Sequence, residues 1–186
     1  MVSIDVINSD LKNMLSCYRY QHSLNVADVA KRLAITYQFD EEKAYLAGLL
    51  HDIAKEFSTE ESIFMLRRNG IEDIDINSRV IHSVVGAYVA LEKYGIDEDV
   101  FHAIACHTLG DVPMNLLDKI VFVADKIEPG KNYDGIEEER EVALRNIDEA
   151  MILCIENNHK KLISQGRKIH KKSVEVLNYL KKNTDV

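Results

Sequence analysis

The sequence predicts an all-α fold in a single domain. Only two prolines and eight glycines interrupt the 186 residues, and apolar residues recur at intervals of three and four, which is the helical period. No stretch shows the alternating pattern of a β-strand. We therefore expect one helical unit over residues 1–186, with a core of about residues 15–130 and C-terminal helices over 136–182.

The periodicity also gives the helices in chain order. The predicted segments are 4–16, 18–37, 41–56, 59–69, 78–94, 97–108, 114–127, 136–165 (as one helix or a broken one) and 169–182. Asp40 is placed to cap the third helix, and Ser58 with Glu61 forms the pattern of a capping box before the fourth. Gly70 and Gly95 follow two of these segments, as glycine commonly does at the end of a helix.

The composition excludes several classes of function. Hydrophobic residues make up 46% of the chain and charged residues 29%, as in an ordinary globular protein. A formal net charge of -8 gives no basic footprint for a nucleic-acid partner, although it does not exclude small anionic substrates. The N-terminal residues do not resemble a signal peptide, and no apolar run reaches the length of a membrane span. We therefore expect a cytoplasmic protein without nucleic-acid or membrane partners.

The three cysteines, Cys17, Cys106 and Cys154, are widely separated and form no Cys-x-x-Cys pair. This pattern argues against a disulfide framework and against a thiolate zinc site. Each cysteine is predicted to be a small buried hydrophobic residue.

Histidines fall on faces that the helical period directs inward. His22, for example, shares its stripe with Val26 and Leu33. The inward set comprises His22, His51, His82 and His107, whereas His102 and His159 have charged neighbours and are predicted to face solvent. Each inward histidine taken alone is explained as a hydrogen-bonded core residue.

Two aspartates accompany these histidines. In "LAGLLHDIAKEF" (46–57) Asp52 follows His51 directly, and Asp125 ends the apolar run "IVFVAD". A buried carboxylate requires a cation or strong hydrogen-bond donors. Because four inward histidines and two aspartates are spread over five predicted helices, a helical domain can bring them to one centre, where a metal ion would be one suitable partner.

Five strings occur in a diagnostic order: "RYQHSLNVADVAKRLA", "AGLLHDIAKEF", "IHSVVGAYVA", "AIACHTLG" and "KIVFVADKIEPGK". Together they resemble the YqeK family of the HD-domain metal-dependent phosphohydrolase superfamily, from about residue 15 to the C-terminal helix. One departure is Lys131, where we expect the family to have arginine after Glu-Pro-x. Lysine keeps the charge but not the bidentate grip on phosphate.

The resemblance implies an HD-type helical bundle with a metal site in its core. The implied metal ligands are His22, His51, Asp52 and Asp125. This nitrogen and oxygen set suits iron, manganese, cobalt, nickel or zinc, and the resemblance favours iron. In other members of the superfamily the histidines equivalent to His82 and His107 hold a second metal, so a second metal ion is an open alternative here.

The resemblance also implies groups that act on the substrate. Arg19 lies three residues before His22 and Lys55 four residues after His51, so each shares a helical face with a predicted ligand. The alternative for both is an ordinary solvated charge, and His170 is explained equally well as a surface residue. The predicted catalytic residues are Lys55, Arg19, His82 and His107; the predicted substrate contacts are His22, Asp52, Lys55, His82, His107, Thr108, Asp125, Lys131 and His170.

The activity implied by the resemblance is hydrolysis of diadenosine tetraphosphate into two ADP molecules by a metal-activated water. The diguanosine analogue is a further candidate substrate, ADP or GDP are the expected bound products, and a homodimer is expected. A nucleotidase or nucleoside triphosphate hydrolase of the same superfamily would share every ligand, so only its products would distinguish it. A non-catalytic nucleotide sensor is the third alternative, but Lys55 and the two extra histidines argue against it because binding alone needs no activated water.

Overall fold

The computed structural model describes residues 2–72 and 80–184. Over these residues the chain forms ten α-helices and no β-strand, which confirms the all-α prediction. In chain order the helices are α1 (Ile4–Met14), α2 (Cys17–Thr36), α3 (Glu41–Leu50), α4 (Thr59–Arg68), α5 (Ile81–Tyr94), α6 (Glu98–Cys106), α7 (Leu116–Ile127), α8 (Ile136–Ala143), α9 (Ile147–Ser164) and α10 (Lys171–Asn183).

The core lies where α2, α3, α6 and α7 meet. Helix α3 packs against the other three, α7 also contacts α8 and α9, and α9 contacts α10. Leu33, Leu49, Ile104 and Ile120 are among the fully buried side chains contributed by these four helices. Burial of such side chains stabilises the bundle by about 1.5–3 kcal/mol each relative to exposure.

A glycine allows α2 and α3 to approach closely. A Cβ atom on Gly48 would lie 2.9 Å from Ala27 Cα and 3.1 Å from Ala30 Cβ. Any side chain at residue 48 would therefore push the helices apart. Since His22 is on α2 and His51 follows α3, this contact controls the distance between the two histidines.

The predicted caps are confirmed. The Asp40 side chain accepts hydrogen bonds from the first turn of α3, and Ser58 and Glu61 form a reciprocal capping box on α4. Gly95 ends α5 in the left-handed conformation, with φ of 64°. These capping residues locate helix ends that the periodicity of apolar residues alone does not define.

Two predicted helices end early at residues important for the site. The helix predicted over 41–56 stops at Leu50, and tight turns follow, with Ile53 N donating to Leu50 O and Lys55 N to Asp52 O. Adjacent positions on a regular helix point apart, so His51 and Asp52 reach one centre only because the helix ends just before them. In the same way α6 ends at Cys106, although the prediction ran to residue 108.

The long segment predicted over 136–165 is a broken helix. It divides into α8 and α9, and Asn146 caps α9 by accepting from the backbone N–H groups of Asp148 and Glu149. The helix predicted from residue 78 begins at Ile81, and its first predicted residues, 78–79, lie outside the described residues.

Three predictions about burial need correction. His159 is buried and bonds to Ser173 Oγ at 2.8 Å, although its charged neighbours predicted exposure. His102 is only partly exposed, because its ring contacts Asp118. Cys17 is exposed at the start of α2, whereas Cys106 and Cys154 are buried as predicted. Nearest neighbours in sequence are poor guides here because a packed helix from elsewhere covers each histidine.

The sequence also predicted that no apolar run is long enough to span a membrane. Among the helices that the structure describes, each is too short or too polar to cross a bilayer.

Candidate metal centre

The four predicted metal ligands converge at one point in the core. His22 Nε2 lies 3.1 Å from Asp125 Oδ1 and 3.2 Å from His51 Nε2. Asp52 Oδ2 lies 3.8 Å from His22 Nε2 and 3.7 Å from His51 Nε2. These atoms come from α2, from the turn after α3 and from the last turns of α7, so they are close together only in the folded protein.

The other oxygen of Asp52 faces a second group of nitrogen atoms. Asp52 Oδ1 lies 3.2 Å from His82 Nε2 and 3.5 Å from His107 Nε2, and these two ring nitrogens are 3.3 Å apart. Lys55 Nζ lies 3.5 Å from the same oxygen and 2.9 Å from His82 Nε2. Thr108 Oγ1 is 3.2 Å from His107 Nε2. The predicted residues Lys55, His82, His107 and Thr108 therefore all belong to the same site.

Hydrogen bonds on the far side of the rings fix which nitrogen faces the centre. His51 Nδ1 donates to Gly48 O at 2.7 Å, and His107 Nδ1 donates to Ile104 O at 2.8 Å, since a carbonyl can only accept. His22 Nδ1 lies 3.1 Å from Glu128 Oε1 and donates to it. In a neutral ring the remaining nitrogen, Nε2, then presents a lone pair to the centre, as a metal-binding histidine does.

Burial and neighbouring groups determine the charges of the histidines and aspartates at the centre. It lowers the pKa of His51 to about 3 and that of His82 to about 4, so both rings are neutral at neutral pH. For Asp52 burial would raise the pKa, but the contacts with His51, His107 and His82 outweigh it and hold the pKa below its usual range. Burial likewise acts to raise the pKa of Asp125, and the Lys126 ammonium and His22 overcome it.

These observations fit a divalent metal ion. The Nε2 atoms of His22 and His51 face each other at 3.2 Å, yet both Nδ1 atoms are committed as donors, so neither ring can donate to the other. Two carboxylates face the same point. A cation coordinated by the lone pairs and carboxylates satisfies all four groups, and a nitrogen and oxygen set without sulfur suits the metals predicted from the sequence.

Cationic side chains surround the centre. Arg19 Nη1 donates to Asp52 Oδ2 at 3.2 Å, and Lys126 Nζ bonds to Asp125 Oδ2 at 2.6 Å. Lys131 Nζ lies 4.0 Å from Asp125 Oδ1. Arg19 and Lys131, which the sequence predicted to act on the substrate, therefore lie beside the predicted ligands.

His170 does not join these contacts. It is exposed and caps α10, where its Nδ1 accepts a hydrogen bond from Lys172 N at 3.2 Å. Its contact with a nucleotide remains a prediction.

Sequence reasoning missed the groups that orient His22. The Glu128 carboxylate, 2% exposed, accepts from His22, from Asn25 Nδ2 at 2.9 Å and from Gly130 N at 2.6 Å. Arg140 of α8 stabilises the turn that contains Glu128. Its guanidinium group donates to the carbonyl oxygens of Ile127, Glu128 and Lys131. The signal available in the sequence was the "EPGK" turn directly after Asp125.

A basic cavity adjoins the centre. It has a volume of about 460 Å³ and is lined by Lys126, Lys131, Lys160 and Lys161, with Tyr133 and Asn157 among the uncharged lining residues. Lys126 and Lys131 contact Asp125 as well, so the cavity and the centre share these two side chains. The lining has four lysines against one carboxylate, that of Asp134, so the cavity is locally basic in a chain of net charge -8.

The HD domain profile matches residues 19–130, which include the whole cluster. The chain belongs to the HD domain family. A relative from Halalkalibacterium halodurans, "Bis(5'-nucleosyl)-tetraphosphatase, symmetrical", is 36% identical and aligns over 91% of this chain and 92% of its own length. A protein of the same name from Bacillus subtilis is 33% identical over 91% of this chain and 93% of its own.

A solved HD structure is also similar over nearly the whole chain. The crystal structure of a predicted HD superfamily hydrolase involved in NAD metabolism from Clostridium acetobutylicum has a TM-score of 0.94 and 41% identity. The alignment covers 99% of this chain and 100% of that one. These similarities confirm the YqeK-type HD family predicted from the ordered motifs.

Replacement of Asp125 tests the ligand set. We expect Asp125→Ala to lose iron from protein reconstituted with Fe²⁺ while its far-ultraviolet circular dichroism stays helical, because the variant removes one of two carboxylates from the centre. The exposed Asp28 on α2 offers a matched control, and Asp28→Ala should retain wild-type iron on elemental analysis. Full iron occupancy in Asp125→Ala would show that Asp125 is not a ligand.

Proposed function

We propose that the chain is a metal-dependent hydrolase that cleaves diadenosine tetraphosphate symmetrically into two ADP molecules. The observation that carries the proposal is the position of Arg19 and Lys55, which both contact the buried carboxylate of the ligand Asp52. Cations at that place can stabilise the charge of a phosphoanhydride held at the centre. The two tetraphosphatase relatives, which align over more than nine-tenths of their length, support this choice of substrate.

His22, His51, Asp52 and Asp125 would hold the metal ion, and iron is the ion we propose, with manganese, cobalt, nickel and zinc as alternatives. When bound, such an ion lowers the pKa of a water molecule towards about 7 and polarises the phosphorus centre. Glu128 keeps the Nε2 lone pair of His22 directed at the ion through its hydrogen bond with Nδ1.

Lys55 and Arg19 would supply positive charge to the transferring phosphoryl group. Hydrolysis forms a bond from the water oxygen to one central phosphorus and breaks the bond from that phosphorus to the bridging oxygen, which leaves with the second ADP. A diphosphate leaving group requires neutralisation of charge more than full protonation. Lys55, 28% exposed at the edge of the buried cluster, can reach such a group while it remains beside His82.

His82 and His107 have two possible roles in this proposal. Burial lowers the pKa of His82 to about 4, which leaves its ring neutral, and His107 Nε2 carries a lone pair because Nδ1 donates to Ile104 O; neither ring is therefore a cationic donor to a phosphate oxygen. The Nε2 atoms of both rings lie beside Asp52 Oδ1, a grouping that would suit a second metal ion. We therefore favour the second metal over proton donation by these rings.

The basic cavity would accept the phosphates of the substrate. A tetraphosphate bridge carries several negative charges, and Lys126 and Lys131 connect the cavity to the centre. Lys160 and Lys161 extend the positive charge further from the centre. Thr108 stands at the other end of the cluster as a candidate hydrogen-bond donor, and ADP or GDP would be held as products.

We further propose that the protein acts in the cytoplasm as a homodimer and that residues 1–186 form one domain. The absence of a basic footprint favours a small nucleotide substrate over a nucleic acid.

Product analysis tests the reaction. Iron-reconstituted protein should convert diadenosine tetraphosphate to ADP alone on chromatography, and hydrolysis in oxygen-18 water should label one of the two ADP molecules formed per turnover. Asp125→Ala protein serves as the inactive control. AMP with ATP would indicate asymmetric cleavage. Orthophosphate or pyrophosphate from simple nucleotides would indicate the nucleotidase or triphosphate hydrolase alternative, and tight binding without products would indicate a sensor.

Lys55 provides a test of the charge assignment. We expect Lys55→Ala to keep its iron but lose turnover by roughly 10²–10³, the scale for deletion of one electrostatic contact to the transition state. Lys31 on α2, which pairs with Glu41 and Glu42 at the surface, supplies the control Lys31→Ala with wild-type turnover expected. If Lys55→Ala turns over normally with normal iron content, Lys55 is an ordinary surface charge.

A further inference from the structure

A second group of metal-ligating side chains lies between α6 and α7, outside the His-Asp centre. His102, Cys106 and Asp118 each place one ligand atom within 4.8 Å of the other two. His102 Nδ1 lies 2.9 Å from Asp118 Oδ2 and 3.9 Å from Cys106 Sγ. None of the three residues contributes to the centre formed by His22, Asp52 and their neighbours.

The helical spacing makes two of these residues a natural chelating pair. His102 and Cys106 are four residues apart on α6, so their side chains lie on one face. Asp118 approaches the pair from the first turn of α7. A tetrahedral zinc ion with bonds of about 2.0–2.3 Å separates its ligand atoms by roughly 3.3–3.7 Å. The separations of 2.9 Å and 3.9 Å in this group lie on either side of that range, so small shifts of the side chains would admit the ion.

The Asp118 carboxylate shows an unmet requirement for a cation. Its side chain is 1% exposed. Oδ2 accepts from Asn115 N at 2.8 Å in the capping box of α7 and lies against His102. Oδ1, also buried, has no hydrogen-bond partner among the residues that the structure describes. A buried carboxylate oxygen without a partner is costly, and a coordinated metal ion removes that cost.

We propose that His102, Cys106 and Asp118 form a separate site for a thiophilic divalent cation of the zinc type. Zinc accepts imidazole, thiolate and carboxylate ligands, so Cys106 would bind with loss of its thiol proton to solvent, and the partly exposed position of His102 leaves room for water as a fourth ligand. The sequence argued against a thiolate zinc site because it has no Cys-x-x-Cys pair, but here the ligands are brought together by two packed helices.

This site would clamp α6 to α7 close to the catalytic cluster. Cys106 is the last residue of α6 and immediately precedes His107, whose Nε2 lies 3.5 Å from Asp52 Oδ1. Helix α7 carries Asp125 two turns beyond Asp118. A cation at the second site would therefore hold together the two helices that position one histidine and one carboxylate of the centre.

Cobalt substitution distinguishes the two sites. The His-Asp centre has no sulfur ligand, so a near-ultraviolet thiolate-to-cobalt charge-transfer band can come only from a cysteine. Metal-stripped wild-type protein loaded with Co²⁺ in excess of the ions that the His-Asp centre can hold should show this band, and Zn²⁺ should abolish it. Cys106→Ala should lose the band, and His102→Ala, which alters a partly exposed residue, should lose or greatly weaken it.

Two other cysteines serve as matched controls. Cys154→Ala alters a buried thiol on α9, and Cys17→Ser alters an exposed one on α2; both variants should keep the band. The proposal is overturned if wild-type protein shows no band, if the band survives Cys106→Ala, or if it disappears in either control. The wild-type measurement tests the site even if Cys106→Ala fails to fold, and the band is independent of whether the enzyme cleaves diadenosine tetraphosphate.

Discussion

The arrangement of the site depends on the burial of one carboxylate, that of Asp52. Its side chain is 2% exposed, and its two oxygen atoms face different groups, with Oδ2 towards His22 and His51 and Oδ1 towards His82 and His107. An ionised carboxylate at such a position is unstable without compensation from donors and cations. Arg19 and Lys55 provide part of that compensation, and a metal ion between Asp52 and the imidazole lone pairs would provide the rest.

Several helices end at the centre, and their ends bring the surrounding side chains to Asp52. His51 directly follows α3, His107 directly follows α6, and Asp125 lies in the last turn of α7. The close contact at Gly48 draws α2 against α3, and the turn containing Glu128 holds the ring of His22. Side chains at helix ends can take directions that a regular helix forbids, which is why adjacent residues such as His51 and Asp52 serve the same point.

Much of this arrangement could be predicted from the sequence, because helical period and capping depend on neighbouring residues. The helices, their caps and the convergence of His22, His51, Asp52 and Asp125 follow from such local patterns, with the family resemblance supplying the ligand roles. The sequence could not show that α3 stops at Leu50 or that His159 is buried, since packing between distant segments decides both. It also missed the grouping of Cys106 with Asp118, whose helices meet only in three dimensions.

The most direct test of the central role of Asp52 is turnover of diadenosine tetraphosphate by Asp52→Asn protein as the iron concentration is raised. If one carboxylate serves both clusters, activity stays at least about 10²-fold below wild type even when excess iron restores the metal content, because a neutral amide cannot replace both oxygen atoms. If Asp52 contributes only affinity for one metal ion, saturating iron restores wild-type turnover, and that result would contradict the shared role of Asp52.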